Sequence, residues 1–346
     1  MKKIISKILV LAIMLGLLAG CSGGGSSTDK TDSASPAAEG GGDKIEIKIA
    51  CVGNEDHQST IAAKLFKEKL EEKSDDFKID IYPNASLGGE REAAEGVKLG
   101  TIQMTIVTSD GTLPAWVPDI QVLSIPYLFE NSEKAYTALD GIITEKLNSK
   151  FEEAGFKHLA YGELGFRHFT NSKKEINSAE DLKGLSIRVQ EAPIWFALLE
   201  SLGASAVPVP FNELYTALQQ GMCDGQENPV ASIATSKFNE VQKYLSLDGH
   251  TYAAISYIMN KDFFDGLTPE QQEAIQSAST ESAQEQRKVV SEKEAEYLQQ
   301  LKDSGMIVTE PDKASFVEAT KDIYTLPEVK KLVSPEFVDE VREAIK

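Results

Sequence analysis

The chemistry this chain could perform is most visible at Arg188. It interrupts residues 185–189 (LSIRV), a run that is otherwise apolar and β-branched and reads as a buried strand. A central strand of an α/β layer is covered on both faces and rarely tolerates charge. Arg188 falls near the C-terminal end of this strand, the sheet edge where open α/β folds place their ligands. A guanidinium there presents a planar fork of donors that matches a carboxylate. The competing role is a structural salt bridge to a neighbouring acid. The run alone leaves both open.

Catalytic patterns are missing. No nucleophile elbow, P-loop or dinucleotide fingerprint is present. His57, His158, His168 and His250 are scattered, and Cys51 and Cys223 form no CxxC or Cys/His spacing, so neither a metal nor a cofactor is expected. Cys51 ends the strand-like run IKIAC and reads as a small buried apolar residue, with a disulfide to Cys223 left open. Glu191 and Glu227 could pair as general acid and base in a cleft, which makes an exported hydrolase the alternative function. An adhesin or scaffold is a third class, and it would not saturate with a small molecule.

The elements that must position Arg188 repeat along the chain. Residues 182–229 read as strand, helix, strand and helix, followed by a turn at Asp224-Gly225 into the polar tetrad Gln226-Glu227-Asn228-Pro229. Pro193 lies in the first turn of one helix and Gly203 stops it, while Asn212 is placed to cap the helix of residues 213–221. Earlier, residues 44–52, 60–73, 77–82, 90–99 and 102–107 give β-α-β-α-β, the unit of a parallel sheet. Residues 132–154 read as one helix. Two such halves predict two lobes, each a mainly parallel sheet flanked by helices, with a ligand cleft between them. Asn54, Glu55, His57, Thr108 and Ser109 end first-lobe strands and would face that cleft. Residues 156–171 and 244–260 read as paired β crossings, a hinge geometry. Gly162 and Gly165 interrupt the first, as a bend requires. Lobe 1 is then residues 44–164 plus 254–293, and lobe 2 residues 165–253 plus 294–346. A capping box, Thr268-Pro269-Glu270-Gln271, starts the helical region that follows. The tail from residue 313 reads as helical, broken at Pro327 and Pro335 and packed on the second lobe.

The segments GLSIRVQ, SLGASAVPVPFNELYTALQQG and DGQENP together resemble the DctP-like solute-binding proteins of tripartite ATP-independent periplasmic (TRAP) transporters. The similarity runs from about residue 45 to the end. It implies a periplasmic-binding-protein-like fold with a long helix lying across both lobes, and a receptor that performs no chemistry on its ligand. Carried over by position, Arg188 grips a ligand carboxylate, Arg167 in GFRHFTN supports the ligand from the side (an inter-lobe ion pair being the alternative), Asn228 donates to the carboxylate, and Phe211 is the aromatic beside it. Glu191 departs from the small or amide residues common at its position. It could accept ligand hydroxyls or brace Arg188. The implied partners are a small organic anion, either sugar acid or four-carbon dicarboxylate, and the membrane permease subunits.

Composition supports export and an anionic surface. Lys2, Lys3 and Lys7 precede the apolar residues 8–18, which are too few to span a bilayer and read as a signal peptide over residues 1–20. The segment ends Leu18-Ala19-Gly20-Cys21, which resembles the lipobox of bacterial lipoproteins with Cys21 as the lipidated residue; an ordinary cleavage site is the competing reading. Residues 21–43 are rich in Gly, Ser and Ala and read as a tether. A net charge of −19 disfavours nucleic acid and anionic lipid as partners, and leaves a lipid anchor as the membrane contact. An acidic protein repels anions at long range, so capturing one requires cations concentrated in a cleft.

Overall fold

The computed structural model describes residues 44–346; the predicted signal peptide, Cys21 and tether lie outside the described residues. Nine strands form one continuous sheet: β1 (Ile45–Ala50), β2 (Phe77–Tyr82), β3 (Met104–Thr108), β4 (Phe156–Asn171), β5 (Ser186–Val189), β6 (Ser205–Pro208), β7 (Gly225–Pro229), β8 (Tyr244–Asn260) and β9 (Ile307–Thr309). The order is β2-β1-β3-β8-β4-β7-β5-β6, with β9 beside β8. At one end β1 pairs in parallel with β2 and β3; at the other β5 pairs in parallel with β6 and β7. These ends are the two lobes of a two-lobed α/β fold.

The long strands β4 and β8 join them, antiparallel over their whole length. β3 pairs with the C-terminal half of β8, and β7 with the C-terminal half of β4. Their register slips between His158 and Ala160, Glu163 and Gly165, and Arg167 and Phe169. Gly165 adopts φ +119°, a conformation that a side chain rarely permits, and it sits at the second slip. Gly162 is needed for a different reason: a Cβ there would lie 2.7 Å from Gln286 Oε1.

Apolar alternation explains the first lobe. Ile47 and Ile49 of β1 are fully buried and share a core with Phe66 and Leu70 of the Gln58–Lys73 helix. That helix starts two residues earlier than its apolar pattern suggests, because the His57 side chain accepts from Ser59 N–H as its cap. The capping box at Thr268 forms as predicted: Thr268 Oγ1 accepts from Gln271 N–H at 3.3 Å and Gln271 Oε1 from Thr268 N–H at 3.1 Å. It opens one helix of 35 residues, Pro269–Asp303, which packs on the Gln58–Lys73 helix, on β4 and on the Val230–Thr235 helix.

The tetrad after Asp224-Gly225 lies in a fully buried strand, β7; its polar side chains are tolerated because they bond to one another and to β4. Three expectations change. Residues 132–154 divide into Ser132–Ala138 and Thr144–Glu153 across a π-helical turn in which Gly141 leaves helical geometry. Asn212 does not cap a helix; it lies in a 3-10 turn, Phe211–Glu213, that leads into Leu214–Gln219. In the tail, Lys313–Thr320 packs on Ile194–Ser201 of the second half, whereas Pro335–Ala344 packs on Ser132–Ala138 of the first. Cys51 and Cys223 are buried free thiols, and burial pushes the Cys51 thiol up to about 12.

Candidate functional site

Two adjoining recesses share Glu90, Arg188, Gln190 and Phe211 in their walls. Thr108 ends β3 in one lobe and Arg188 lies near the end of β5 in the other, so strand ends from both halves meet at the site. Arg188 is held centrally, with β6 on one side (Arg188 opposite Val207) and β7 on the other (Arg188 opposite Gln226).

The surroundings of Arg188 separate its two candidate roles. It is 2% exposed, its Nε donates to Val209 O at 2.8 Å, and its buried Nη1 has no partner. Among the described residues no carboxylate pairs with it. Burial pulls the guanidinium down to about 10; Glu227 opposes that shift and Arg167 adds to it. A buried cation left with a free donor carries a desolvation cost that nothing among the described residues offsets directly.

Arg167 is the reverse case. It is 1% exposed and lines neither recess. Its Nε and Nη2 engage the Glu227 carboxylate (Nη2–Oε1 2.9 Å), and Nη2 also donates to Glu227 O at 2.8 Å and to Asn228 Oδ1 at 3.1 Å. With its amide assigned to satisfy hydrogen bonding, the Gln190 oxygen accepts from both Arg167 Nη atoms at 3.2 Å. Behind this pair, His250 lies 2.7 Å from Asp248 and 3.4 Å from Glu227. Burial disfavours the His250 charge, but Asp248 and Glu227 outweigh it and raise the imidazole to about 9. Burial alone would raise Glu227, yet Arg167 and His250 hold it below the usual carboxylate range. Arg167 and His250 thus face Glu227 and Asp248 directly, with buried Asp110 also within electrostatic reach of Arg167. Arg188 has no such direct partner and feels Glu227 and Glu90 only at a distance.

The other predicted residues separate by position. Asn228 lines the second recess, its amide passing from Arg167 to Gln226, whose Nε2 donates to Thr170 Oγ1 at 2.8 Å. Phe211 walls both recesses, its ring 5.3 Å from that of His57. Burial lowers His57 to about 4; its Nδ1 accepts from Ser59 N–H, so the ring proton resides on Nε2. Glu191 is exposed at the rim of the first recess and makes no bond to Arg188, so the bracing role fails. Thr108 lines the second recess. Three first-lobe expectations do not reach either recess. Ser109 is turned to Ser256 Oγ at 2.8 Å, Asn54 Nδ2 donates to Thr235 O at 2.8 Å, and exposed Glu55 pairs with Lys64 at 2.7 Å. Glu227 also lines neither recess, and its oxygens are taken by Arg167 and His250, so it forms no acid–base pair with Glu191.

Sequence reasoning missed Glu90 and Gln190. Glu90 follows the Gly88-Gly89 pair and reads as helix punctuation, yet its oxygens accept from Thr108 N–H (2.7 Å), Thr108 Oγ1 (2.9 Å) and Thr112 Oγ1 (2.9 Å). Gln190 packs so closely on Gly111 that a Cβ there would lie 1.3 Å from its side-chain amide. An acid in the first turn of a helix beside a strand end was the available signal for Glu90.

Two lobes joined by a β crossing, with an unbalanced buried arginine at their junction, define a solute-binding receptor of the two-lobed class. Comparison with known proteins narrows the class. The family described as "Bacterial extracellular solute-binding protein, family 7" (DctP) matches residues 49–330. The chain is 37% identical over 261 residues to the 2,3-diketo-L-gulonate-binding periplasmic protein YiaO of Escherichia coli, covering 75% of this chain and 79% of that one. A TRAP periplasmic solute-binding protein from Polaromonas sp. JS666 bound to D-erythronate superposes with TM-score 0.83 at 36% identity, covering 86% of this chain and 98% of that chain. The sugar acid-binding protein DctPAm from Advenella mimigardefordensis, in complex with galactonate, gives TM-score 0.84 at 32% identity over 87% and 98%. The chain belongs to the DctP family of TRAP solute-binding proteins.

Proposed function

We propose that this protein captures a small organic acid between its lobes, closes around it, and delivers it to a TRAP permease without altering it. The observation that carries the reading is Arg188, buried without a counter-ion and with Nη1 unpartnered at the cleft. In this reading Arg188 anchors the carboxylate, Asn228 donates beside it, Phe211 packs on the ligand's carbon skeleton, and Glu191 and Thr108 meet its polar groups. Arg167 acts from behind, fixing Asn228. The relatives' sugar-acid ligands support the same class of solute for this chain. The lobes are residues 44–164 plus 254–293 and 165–253 plus 294–346, hinged at the β4 and β8 crossings, except that the Pro335–Ala344 helix reaches back onto the first lobe. Cys21 carries the lipid that holds the receptor on the outer face of the membrane.

A thermal-shift screen of sugar acids and dicarboxylates tests the receptor role. A ligand at 100 times its Kd adds about 2.7 kcal/mol of stability. A cooperative melt that no organic acid shifts would contradict it. For the anchor, Cys21→Ser is expected to move the protein from the membrane to the soluble extracytoplasmic fraction. Wild-type protein recovered there unmodified would refute lipidation.

A further inference from the structure

The charge distribution around the two recesses constrains what the far end of the ligand can be. Besides Arg188, the cation that lines them is Arg91, which is half-exposed and paired with Glu95 at 3.4 Å. Against these two stand Glu90, Glu92 and Glu191. Glu90 matters most, because it lines both recesses together with Arg188. It is held rigidly: it opens the Glu90–Lys98 helix and is pinned by three donors from Thr108 and Thr112. No cation lies within ion-pair distance of it among the described residues, although Arg188 feels its charge across the recess.

A carboxylate has about four acceptor sites. Three donors leave Glu90 able to take one more, and a ligand hydroxyl supplies it. A second ligand carboxylate has no proton to donate and meets a like charge that cannot swing aside. A dicarboxylate would need a second buried, unbalanced cation, and Arg167 is already consumed by Glu227.

We propose that this cleft selects polyhydroxylated monocarboxylates and rejects dicarboxylates, with Glu90 as the discriminating residue. Arg188 takes the carboxylate and Glu90 takes a hydroxyl further along the carbon chain. Specificity then comes from a repulsive element as much as an attractive one. The inference rests on the receptor reading and sharpens it.

Matched pairs test it, each differing only by oxidation of a terminal carbinol to a carboxylate: D-erythronate against meso-tartrate, and galactonate against galactarate, titrated by calorimetry into the mature protein at neutral pH. The diacid of a pair is expected to bind roughly 100-fold more weakly, the scale of a like-charge contact in a cleft. Glu90→Gln is expected to weaken the monoacid and to narrow the gap, because it removes the charge and keeps the shape. The wild-type comparison stands even where the variant does not fold. Monoacid and diacid affinities within tenfold of each other would overturn the selectivity and leave the receptor reading intact. A wild-type gap that Glu90→Gln does not narrow would overturn the assignment to Glu90. Binding of neither class at millimolar concentration, in protein that melts cooperatively, would overturn both.

Discussion

Arg167 and Arg188 lie buried in one sheet, 1% and 2% exposed, and their surroundings are opposite. Arg167 faces a full set of acceptors: the Glu227 carboxylate and carbonyl, the Asn228 amide and the Gln190 amide. Its cation also stands 5.3 Å over the Trp195 ring. Arg188 has a single carbonyl on Nε and nothing on Nη1. The contrast separates two uses of a buried cation. One is satisfied internally and stiffens the junction where β4, β7 and β8 meet. The other keeps its desolvation penalty open, which is what the proposed role as carboxylate anchor requires.

Removing each arginine should therefore damage a different property. Loss of one partner from a buried ion pair costs about 3–5 kcal/mol. Arg167→Ala, which strands Glu227, is expected to lower unfolding stability on that scale in denaturant titrations. Arg188→Ala removes an unbalanced charge and is expected to leave ligand-free stability nearly unchanged. Equal stability losses in the two variants would erase the distinction.

A smaller effect concerns pH. His250 is raised to about 9 by Asp248 and Glu227 against an ordinary value of 6.5. Its contribution to stability is fully present below pH 6.5 and is lost as pH rises through about 9. In His250→Gln the decline across that window is expected to flatten. An unchanged pH profile would remove His250 from the balanced cluster.

Much of this contrast could be read from the chain, and what could not has physical causes. Arg188 was legible because a charge inside LSIRV breaks a strong local pattern. The crossings were legible too, since Gly162 and Gly165 inside a long run of mixed polar and apolar residues suit a bent strand far better than a helix. β7 was legible only through the repeat of the first half's plan: GQENP has no apolar alternation of its own, and its burial depends on bonds to residues more than fifty positions away, such as Gln226 to Thr170. Ser109 and Asn54 were placed correctly near strand ends, but side-chain direction is set by partners, Ser256 and Thr235, that no local pattern names. Glu90 was hidden for a related reason. A glutamate at a helix start is ordinary, and only Thr108 and Thr112 turn it into a wall of the cleft.

The central claim is that Arg188 holds the ligand carboxylate, and calorimetry with the acid and amide forms of a bound sugar acid tests it most directly. Loss of one partner from a buried charged pair costs roughly 2–5 kcal/mol, so Arg188→Ala is expected to weaken the acid by roughly 30- to several-thousand-fold. Arg188→Lys should recover little of this, because an ammonium lacks the two-pronged geometry. The amide should bind far more weakly than the acid to wild type and only slightly more weakly to Arg188→Ala, since both changes delete one shared interaction. An equal penalty for the amide in both proteins would mean that another residue holds the carboxylate.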